Sequence, residues 1–338
     1  MKKPEHKSIE LWLCLLYLMV FAMVIVGGVT RLTDSGLSMV EWKPLIGAIP
    51  PLSSEDWQVV FHKYQQFPQY QKLNHGISLS QFKSIFYWEY AHRVLGRLIG
   101  LVFFFPFLYF WVRGYLDSKL RNRLIIGLLL GGSQGLMGWY MVKSGLVDIP
   151  YVSHYRLAAH LGLAFLILGY LLWLIFDLSA ISAARKKTVK ILPVLFFAVL
   201  CVQIIYGAFV AGRDAGIGFN TYPLMGEEFL PAGSFHLEPY WHNFLENNVV
   251  IQFVHRWIPL LLFSLLTLIW TKRSKFTQAQ SNALIYVTLA FLIQFLLGVL
   301  TLLWVVPLRL ASLHQAGAII LFSTTLYFCY LNRALKVG

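Results

Sequence analysis

The sequence predicts an all-α, polytopic membrane protein whose eight transmembrane helices form two tandem, pseudo-symmetric four-helix bundles. Three observations support this prediction: the composition, the length of the apolar runs and an internal repeat. Of the 338 residues, 58% are hydrophobic and only 13% are charged, whereas a soluble domain carries about 25% charged residues. Because so few charges cannot cover a water-exposed surface of ordinary size, we expect lipid to cover much of it.

Eight apolar runs are long enough to cross a bilayer. A helix needs about 20 apolar residues to span about 30 Å of hydrocarbon. On this criterion the spans are predicted at residues 9–29, 86–112, 124–143, 156–178, 191–212, 249–271, 281–304 and 309–331.

The basic residues predict the orientation. The net charge is +13, but the charges form short clusters between apolar runs, which is typical of cytoplasmic loops and not of a nucleic-acid-binding surface. Sixteen of the 28 Lys and Arg residues share one side: Lys2, Lys3, Lys7, Arg113, Lys119, Arg121, Arg123, Arg185, Lys186, Lys187, Lys190, Lys272, Arg273, Lys275, Arg333 and Lys336. Both termini are therefore predicted to be cytoplasmic, and the long loops 30–85 and 213–248 to lie outside.

The N-terminal segment predicts the compartment. Residues 1–7 run directly into the first span without a small-residue cleavage site, and they do not form an Arg/Ser-rich transit peptide. A bacterial inner membrane is the expected location.

An internal repeat predicts the domain organisation. Gly27, Asp34 and Gly36 recur 180 residues later as Gly207, Asp214 and Gly216. In the same way, the sequence EYAHR at 89–93 recurs as QFVHR at 252–256, while Gln134, Gly138 and His160 recur as Gln294, Gly298 and His314. Two four-helix units in the same orientation are parallel repeats. We place the N-terminal bundle at 1–184 and the C-terminal bundle at 185–338.

Four histidines inside the spans are candidate metal ligands. Ionisable residues within a membrane are costly and mark functional sites. His92, His160, His255 and His314 lie on the four even-numbered spans, each about six residues from the predicted outer end. Two imidazoles at equal depth on parallel helices are the geometry of axial ligation to one heme iron. The bland alternative for any single histidine is a polar residue satisfied at a helix interface.

An asymmetry between the repeats singles out Glu89. Glu89 precedes His92 by three residues, whereas the equivalent of Glu89 before His255 is the neutral Gln252. A buried carboxylate is costly unless it is paired or protonated. We therefore predict proton-coupled or cation-stabilising chemistry in the first bundle only. The alternative is a purely structural ion pair with Arg93.

Several arginines lie on the predicted outer side, against the positive-inside trend. Arginine forks suit the carboxylates of heme propionates. Arg93 and Arg256, each adjacent to a histidine, are the best candidates. Snorkelling or pairing with loop acids is the simpler interpretation for at least half of the seven, which also include Arg31, Arg97, Arg156, Arg213 and Arg309.

The whole chain resembles the heme A synthase family. The segments GGVTRLTDSGLSMVEWKPLIGAIPPL at 27–52, EYAHRVLGR at 89–97 and AGRDAGIGFNTYPLMGEEFLP at 211–231 are similar to that family's signatures. No loop cysteine pair is present, because Cys14, Cys201 and Cys329 all lie in apolar runs. The chain therefore resembles the proteobacterial and mitochondrial type, without a cysteine relay.

The resemblance implies a reaction and a division of labour. It implies oxidation of the C8 methyl of heme O to a formyl group, through hydroxylated intermediates and with water as the oxygen source, to give heme A for cytochrome oxidase. It implies that His92 and His160 take the substrate heme, that His255 and His314 hold a heme b, and that Glu89 is the essential acid. Implied partners are heme O itself, heme O synthase, cytochrome oxidase assembly factors and an electron acceptor of unknown identity.

Two other classes fit parts of the pattern. A diheme b-type cytochrome that only transfers electrons explains four histidines equally well, but it does not explain the contrast between Glu89 and Gln252. A transporter with parallel repeats predicts interrupted helices or charges at the membrane centre, whereas the polar residues here lie near the predicted outer surface.

Overall fold

The structure is a computed structural model that describes residues 4–41, 49–145, 151–179 and 191–333. These residues are mostly helical, and apart from an isolated bridge between Met225 and Glu228 they contain no β-structure. The predicted all-α class is therefore confirmed.

Eight long helices correspond to the predicted spans in the described part of the chain. They are α1 (Pro4–Leu32), α4 (Leu79–Val112), α5 (Ser118–Gly145), α6 (His154–Leu178), α7 (Ile191–Gly212), α9 (Asn248–Trp270), α10 (Gln278–Leu303) and α11 (Leu308–Leu331). Shorter helices lie between them: α2 (Ser54–Gln65), α3 (Pro68–Lys72) and α8 (Asn243–Glu246).

Seven of the long helices are both long and apolar enough to cross a membrane, so the chain is a multi-pass membrane protein. The eighth, α11, has 24 residues, and it reaches the same length while carrying more polar side chains, among them His314, Gln315 and Thr325. These residues lower its mean hydropathy but do not shorten the helix. A count of eight is consistent with the helices observed.

Helix α4 begins seven residues before the predicted start at 86. Ser78 caps it, because the Ser78 hydroxyl accepts from the Gln81 amide while the Gln81 side chain accepts from the Ser78 amide. His92 therefore lies 13 residues from the start of its helix, whereas His160, His255 and His314 lie six or seven residues from theirs. The expectation of about six residues was wrong for His92.

The chain divides into two compact units, Met1–Ile167 and Leu168–Gly338. The division predicted between residues 184 and 185 lies outside the described residues and stays a prediction.

In the first unit, α1 packs along α4. Trp12 of α1 donates its indole N–H to the Val102 carbonyl at 2.7 Å, and its ring lies 5.5 Å from that of Phe103. Helix α5 is different, because no residue of its most apolar 18-residue stretch is buried. The helices of this unit are thus unequally packed.

In the second unit, α7 packs against α9 and α10 packs against α11. Trp270 of α9 donates to Thr288 of α10 at 2.9 Å, and the Phe197 ring of α7 lies 5.2 Å from Phe322 of α11. These contacts join four helices into one apolar core.

The loop after α1 and the loop after α7 begin in the same way. Asp34 and Asp214, which are repeat equivalents, both have a left-handed backbone with φ of 50° and 53°. Aspartate tolerates this conformation better than most residues, and at both positions it ends the helix and turns the chain. The recurrence of this aspartate therefore has a local structural reason.

The described part of the first loop, residues 33–41 and 49–78, carries its own apolar core. Trp57 and Tyr64 of α2 pack with Met39 and with Phe82 and Phe86 at the start of α4. The Tyr64 hydroxyl bonds to Gln69 and accepts from Asn74, and burial raises the pKa of Tyr64 to about 12. The loop is thus a folded cap on the extended start of α4.

Candidate heme site

The histidines of the second unit face each other. The ring centres of His255 on α9 and His314 on α11 are 6.5 Å apart, with an angle of 87° between the ring planes. A metal–imidazole bond is about 2 Å long, so two imidazoles on opposite sides of one iron have ring centres about 6 Å apart. The observed pair fits axial ligation of a heme.

The histidines of the first unit are arranged on equivalent helices. His92 lies on α4 and His160 on α6. The two imidazoles are close enough for a charge on one to affect the other. Among the described residues, no cluster of three or more His, Cys, Asp or Glu side chains is arranged for a metal ion. A heme needs only two protein ligands, because the porphyrin supplies the other four.

Each histidine lies against a glycine on the neighbouring helix. A Cβ atom on Gly27 would lie 3.1 Å from His92, and one on Gly207 would lie 3.2 Å from His255. On the other helix pairs, a Cβ on Gly138 would lie 3.2 Å from His160 and one on Gly298 only 2.8 Å from His314. The repeated glycines therefore let each imidazole lie directly against a helix backbone.

Glutamine side chains lie beside three of the histidines. Gln134 donates to the His160 carbonyl at 3.1 Å, and Gln203 donates to the His255 carbonyl at 2.9 Å. Gln294 Nε2 lies 3.5 Å from His314 Nε2. The sequence marked Gln134 and Gln294 only as repeat positions and missed Gln203, because its repeat equivalent, Met23, is not a glutamine.

Polar atoms around these histidines have no partner in the described part of the chain. They are the Nδ1 atoms of His160, His255 and His314 and the Oε1 atoms of Gln134, Gln203 and Gln294. Buried polar groups are normally hydrogen-bonded. Each glutamine thus has acceptor capacity beside an imidazole, which suits a site that orients rings for a ligand.

Glu89 is buried and fully engaged with the first loop. Only 2% of Glu89 is exposed. Its Oε1 pairs with Arg93 Nη2 at 2.5 Å, while Oε2 accepts from the Ser38 hydroxyl at 2.8 Å and from the Met39 amide at 2.7 Å. The ion pair with Arg93, which the sequence left as an alternative to a chemical role, is therefore present.

Arg93 and Arg256 hold equivalent points of the two loops. Arg93 donates to the carbonyls of residues 39 and 41, at 2.8 and 3.1 Å. Arg256 donates to the carbonyls of residues 219 and 221, at 2.5 and 2.8 Å, and each of these positions follows its counterpart by 180 residues. Both guanidinium groups thus fasten a loop, and their predicted contact with propionates stays a prediction.

The two units differ in what accompanies the arginine. Gln252, which replaces Glu89, donates to the Phe219 carbonyl at 3.0 Å, and its Oε1 has no partner among the described residues. Arg256 is 7% exposed, and no carboxylate pairs with it in the described part of the chain. Its Nε also has no partner there. The difference between the units is therefore one of charge: the Arg93 guanidinium has a carboxylate partner, whereas Arg256 has none among the described residues.

Three of the other outer arginines have local partners. Arg31 contacts Asp34 at 2.9 Å and Arg213 contacts Glu246 at 2.8 Å, whereas Arg156 lies over the Tyr140 ring at 4.8 Å. The first two are pairings with loop acids, which is the simpler interpretation for those two residues.

Comparison with known proteins gives a consistent result. A family model described as cytochrome oxidase assembly protein (COX15-CtaA) matches residues 10–326. The chain is 49% identical over 334 residues to the heme A synthase of Nitrosospira multiformis, covering 96% of this chain and 94% of that protein. It is 47% identical over 333 residues to the heme A synthase of Nitrosomonas eutropha, with the same coverage, and 44% identical to that of Wolbachia pipientis over 338 residues, covering 97% and 94%.

Proposed function

This chain belongs to the COX15-CtaA family of cytochrome oxidase assembly proteins, and for this heme A synthase we propose the following reaction. The substrate is heme O and the product is heme A. We propose that the C8 methyl of heme O is oxidised to a formyl group by successive hydroxylations, with the oxygen atom taken from water. Methyl plus one water gives formyl, four protons and four electrons, and the electrons pass to an external acceptor.

We assign the substrate heme to His92 and His160 of the first unit. The support is the placement of both side chains on repeat-equivalent helices, each against a glycine, together with the carboxylate of Glu89 one helical turn before His92. The first unit alone has an acid at this position, so it is the one suited to proton-coupled chemistry.

We assign a resident heme b to His255 and His314 of the second unit. The single observation that best supports this is the 6.5 Å separation of their ring centres. Bound there, heme b supplies a one-electron redox centre. Gly207 and Gly298 fix the depth of the imidazoles, and Gln203 holds the α9 backbone at His255.

Glu89 is the proposed catalytic residue. The Arg93 ion pair and two hydrogen bonds from the first loop hold its carboxylate in one orientation. An ionised carboxylate at this place stabilises positive charge that develops as electrons leave the substrate, and it accepts protons released from the methyl carbon.

We propose that the protein resides in a bacterial inner membrane with cytoplasmic termini, and that it receives heme O from heme O synthase. The basic clusters support this orientation. A diheme cytochrome that only transfers electrons is less well supported, because it gives no reason for the contrast between Glu89 and Gln252.

Isotope labelling tests the proposed reaction. The chain is expressed in a host that makes heme O and has no other heme A synthase, in medium containing ¹⁸O-labelled water, and the extracted hemes are analysed by mass spectrometry. We expect heme A, and label in the hydroxymethyl intermediate, whose oxygen exchanges slowly with water. A hydroxymethyl intermediate that stays unlabelled in ¹⁸O-labelled water would contradict the proposed oxygen source. Absence of heme A would contradict the reaction.

A further inference from the structure

Two arginines in equivalent places differ in their counter-charge. Each follows a histidine by one residue, and each donates to backbone carbonyls of its loop, two for Arg93 and three for Arg256. Arg93 is neutralised by Glu89, with side chains that are 9% and 3% exposed. Arg256 is similarly buried, yet the residue in the place of Glu89 is the uncharged Gln252.

A buried guanidinium without a carboxylate is unusual. Buried charges in proteins are normally paired, because their desolvation is costly. The carbonyls of Phe219, Thr221 and Leu224 offset part of this cost as dipoles, but they bring no negative charge. The Nε–H of Arg256 is buried and has no partner within the described ranges. Arg256 is therefore prepared for one anionic group.

A heme carries such groups. Its two propionates are carboxylates, and arginine binds carboxylates through charge-assisted hydrogen bonds. Arg256 is adjacent in sequence to His255, the proposed ligand of heme b. In the first unit the same interaction is weakened, because Glu89 already neutralises Arg93 and would repel a second carboxylate.

We propose that the choice between acid and amide at this position decides whether a unit retains or exchanges its heme. Gln252 leaves Arg256 charged, so that a propionate completes the ion pair and heme b is retained. Glu89 neutralises Arg93, so that the substrate heme is held without this ion pair and can enter and leave. This inference rests on the proposed function, and it gives Glu89 a role in exchange beside its role in chemistry.

The inference predicts opposite effects for two reciprocal substitutions. Gln252→Glu adds a carboxylate beside Arg256, so the dissociation of heme b should become at least tenfold faster, which corresponds to about 1.4 kcal/mol. Glu89→Gln frees the charge of Arg93, so the dissociation of heme O should become at least tenfold slower. Gln252→Leu is the matched control, because it removes the bond to the Phe219 carbonyl without adding charge.

The experiment uses the full-length protein, purified with its hemes in lipid nanodiscs. Excess apomyoglobin takes up dissociated heme, and samples withdrawn over time are extracted so that chromatography follows each heme type separately. We expect rapid loss of heme b from Gln252→Glu, near wild-type loss from Gln252→Leu, and prolonged retention of heme O by Glu89→Gln.

Two outcomes would overturn this inference without affecting the proposed function. Unchanged heme b dissociation in Gln252→Glu would show that no propionate depends on the charge of Arg256. An equal acceleration in Gln252→Glu and Gln252→Leu would assign the effect to the lost hydrogen bond. If Gln252→Glu does not fold, Glu89→Gln decides the matter by itself. A wild-type protein that carries no heme would overturn the proposed function and this inference together.

Discussion

Gly298→Ala is expected to weaken the binding of heme b while leaving the protein folded. Gly298 on α10 faces the imidazole of His314, and a Cβ atom there would lie 2.8 Å from His314 Cε1. Carbon atoms in contact are separated by about 3.5–4.0 Å, so the imidazole must move by roughly 0.7 Å or more. In the heme-free protein the ring can turn away, but an imidazole bound to iron cannot.

The cost of the added methyl group therefore falls on the heme-bound state. Inserting a methyl group into a packed site costs about 1–3 kcal/mol. At about 1.4 kcal/mol for each factor of ten, heme b should bind roughly 5- to 140-fold more weakly. Alanine also favours a helix over glycine by up to about 1 kcal/mol, so the stability of the heme-free protein should not fall.

Heme titration and thermal unfolding separate the two effects. The heme b content per polypeptide and the rate of heme transfer to apomyoglobin are measured in membranes or nanodiscs, next to the unfolding temperature of the heme-depleted protein. Gly132→Ala on α5 is the matched control, because a Cβ atom there meets no atom within 4 Å. Equal heme b affinity in the two variants would refute the close packing of His314 as a ligand.

Three further predictions address other parts of the molecule. Glu89→Ala should abolish heme A formation and leave heme b bound; full activity, measured by heme extraction, would remove Glu89 from the mechanism. His255→Ala should deplete heme b, and a normal low-spin heme b spectrum would show that His255 is not a ligand. Trp57→Ala should destabilise the first loop by about 3–5 kcal/mol, because Trp57 is 5% exposed and packs 5.0 Å from Phe86; unchanged hydrogen exchange in residues 54–72 would contradict this.

The helices could be predicted because their signal is local: a run of about 20 apolar residues is sufficient to indicate a span. The repeat singled out His92, His160, His255 and His314 as candidates, and their role as heme ligands stays a prediction. The start of α4 was missed because hydropathy was the only signal used. The capping box at Ser78 and Gln81 lies outside the apolar run, and hydropathy indicates where lipid begins rather than where a helix does.

Arg93 was foreseen as a partner of Glu89, but the partners from the first loop could not be predicted from the sequence. Ser38 and Met39 are some 50 residues away along the chain, and only the folded first loop brings them to the carboxylate. The glycines show an intermediate case. Gly27 and Gly207 were recognised as repeat markers, but their close approach to His92 and His255 depends on how neighbouring helices pack. The internal repeat shows which residues recur, whereas the tertiary structure shows what each of them contacts.

The central claim is that this chain holds two chemically different hemes, a resident heme b and a substrate heme. The most direct test is extraction of the hemes from purified protein that was co-expressed with a supply of heme O, with identification by chromatography and mass spectrometry. We predict heme b together with heme O, heme A or a hydroxylated intermediate. Heme b alone, despite the supply of heme O, would contradict the claim and indicate an electron-transfer cytochrome.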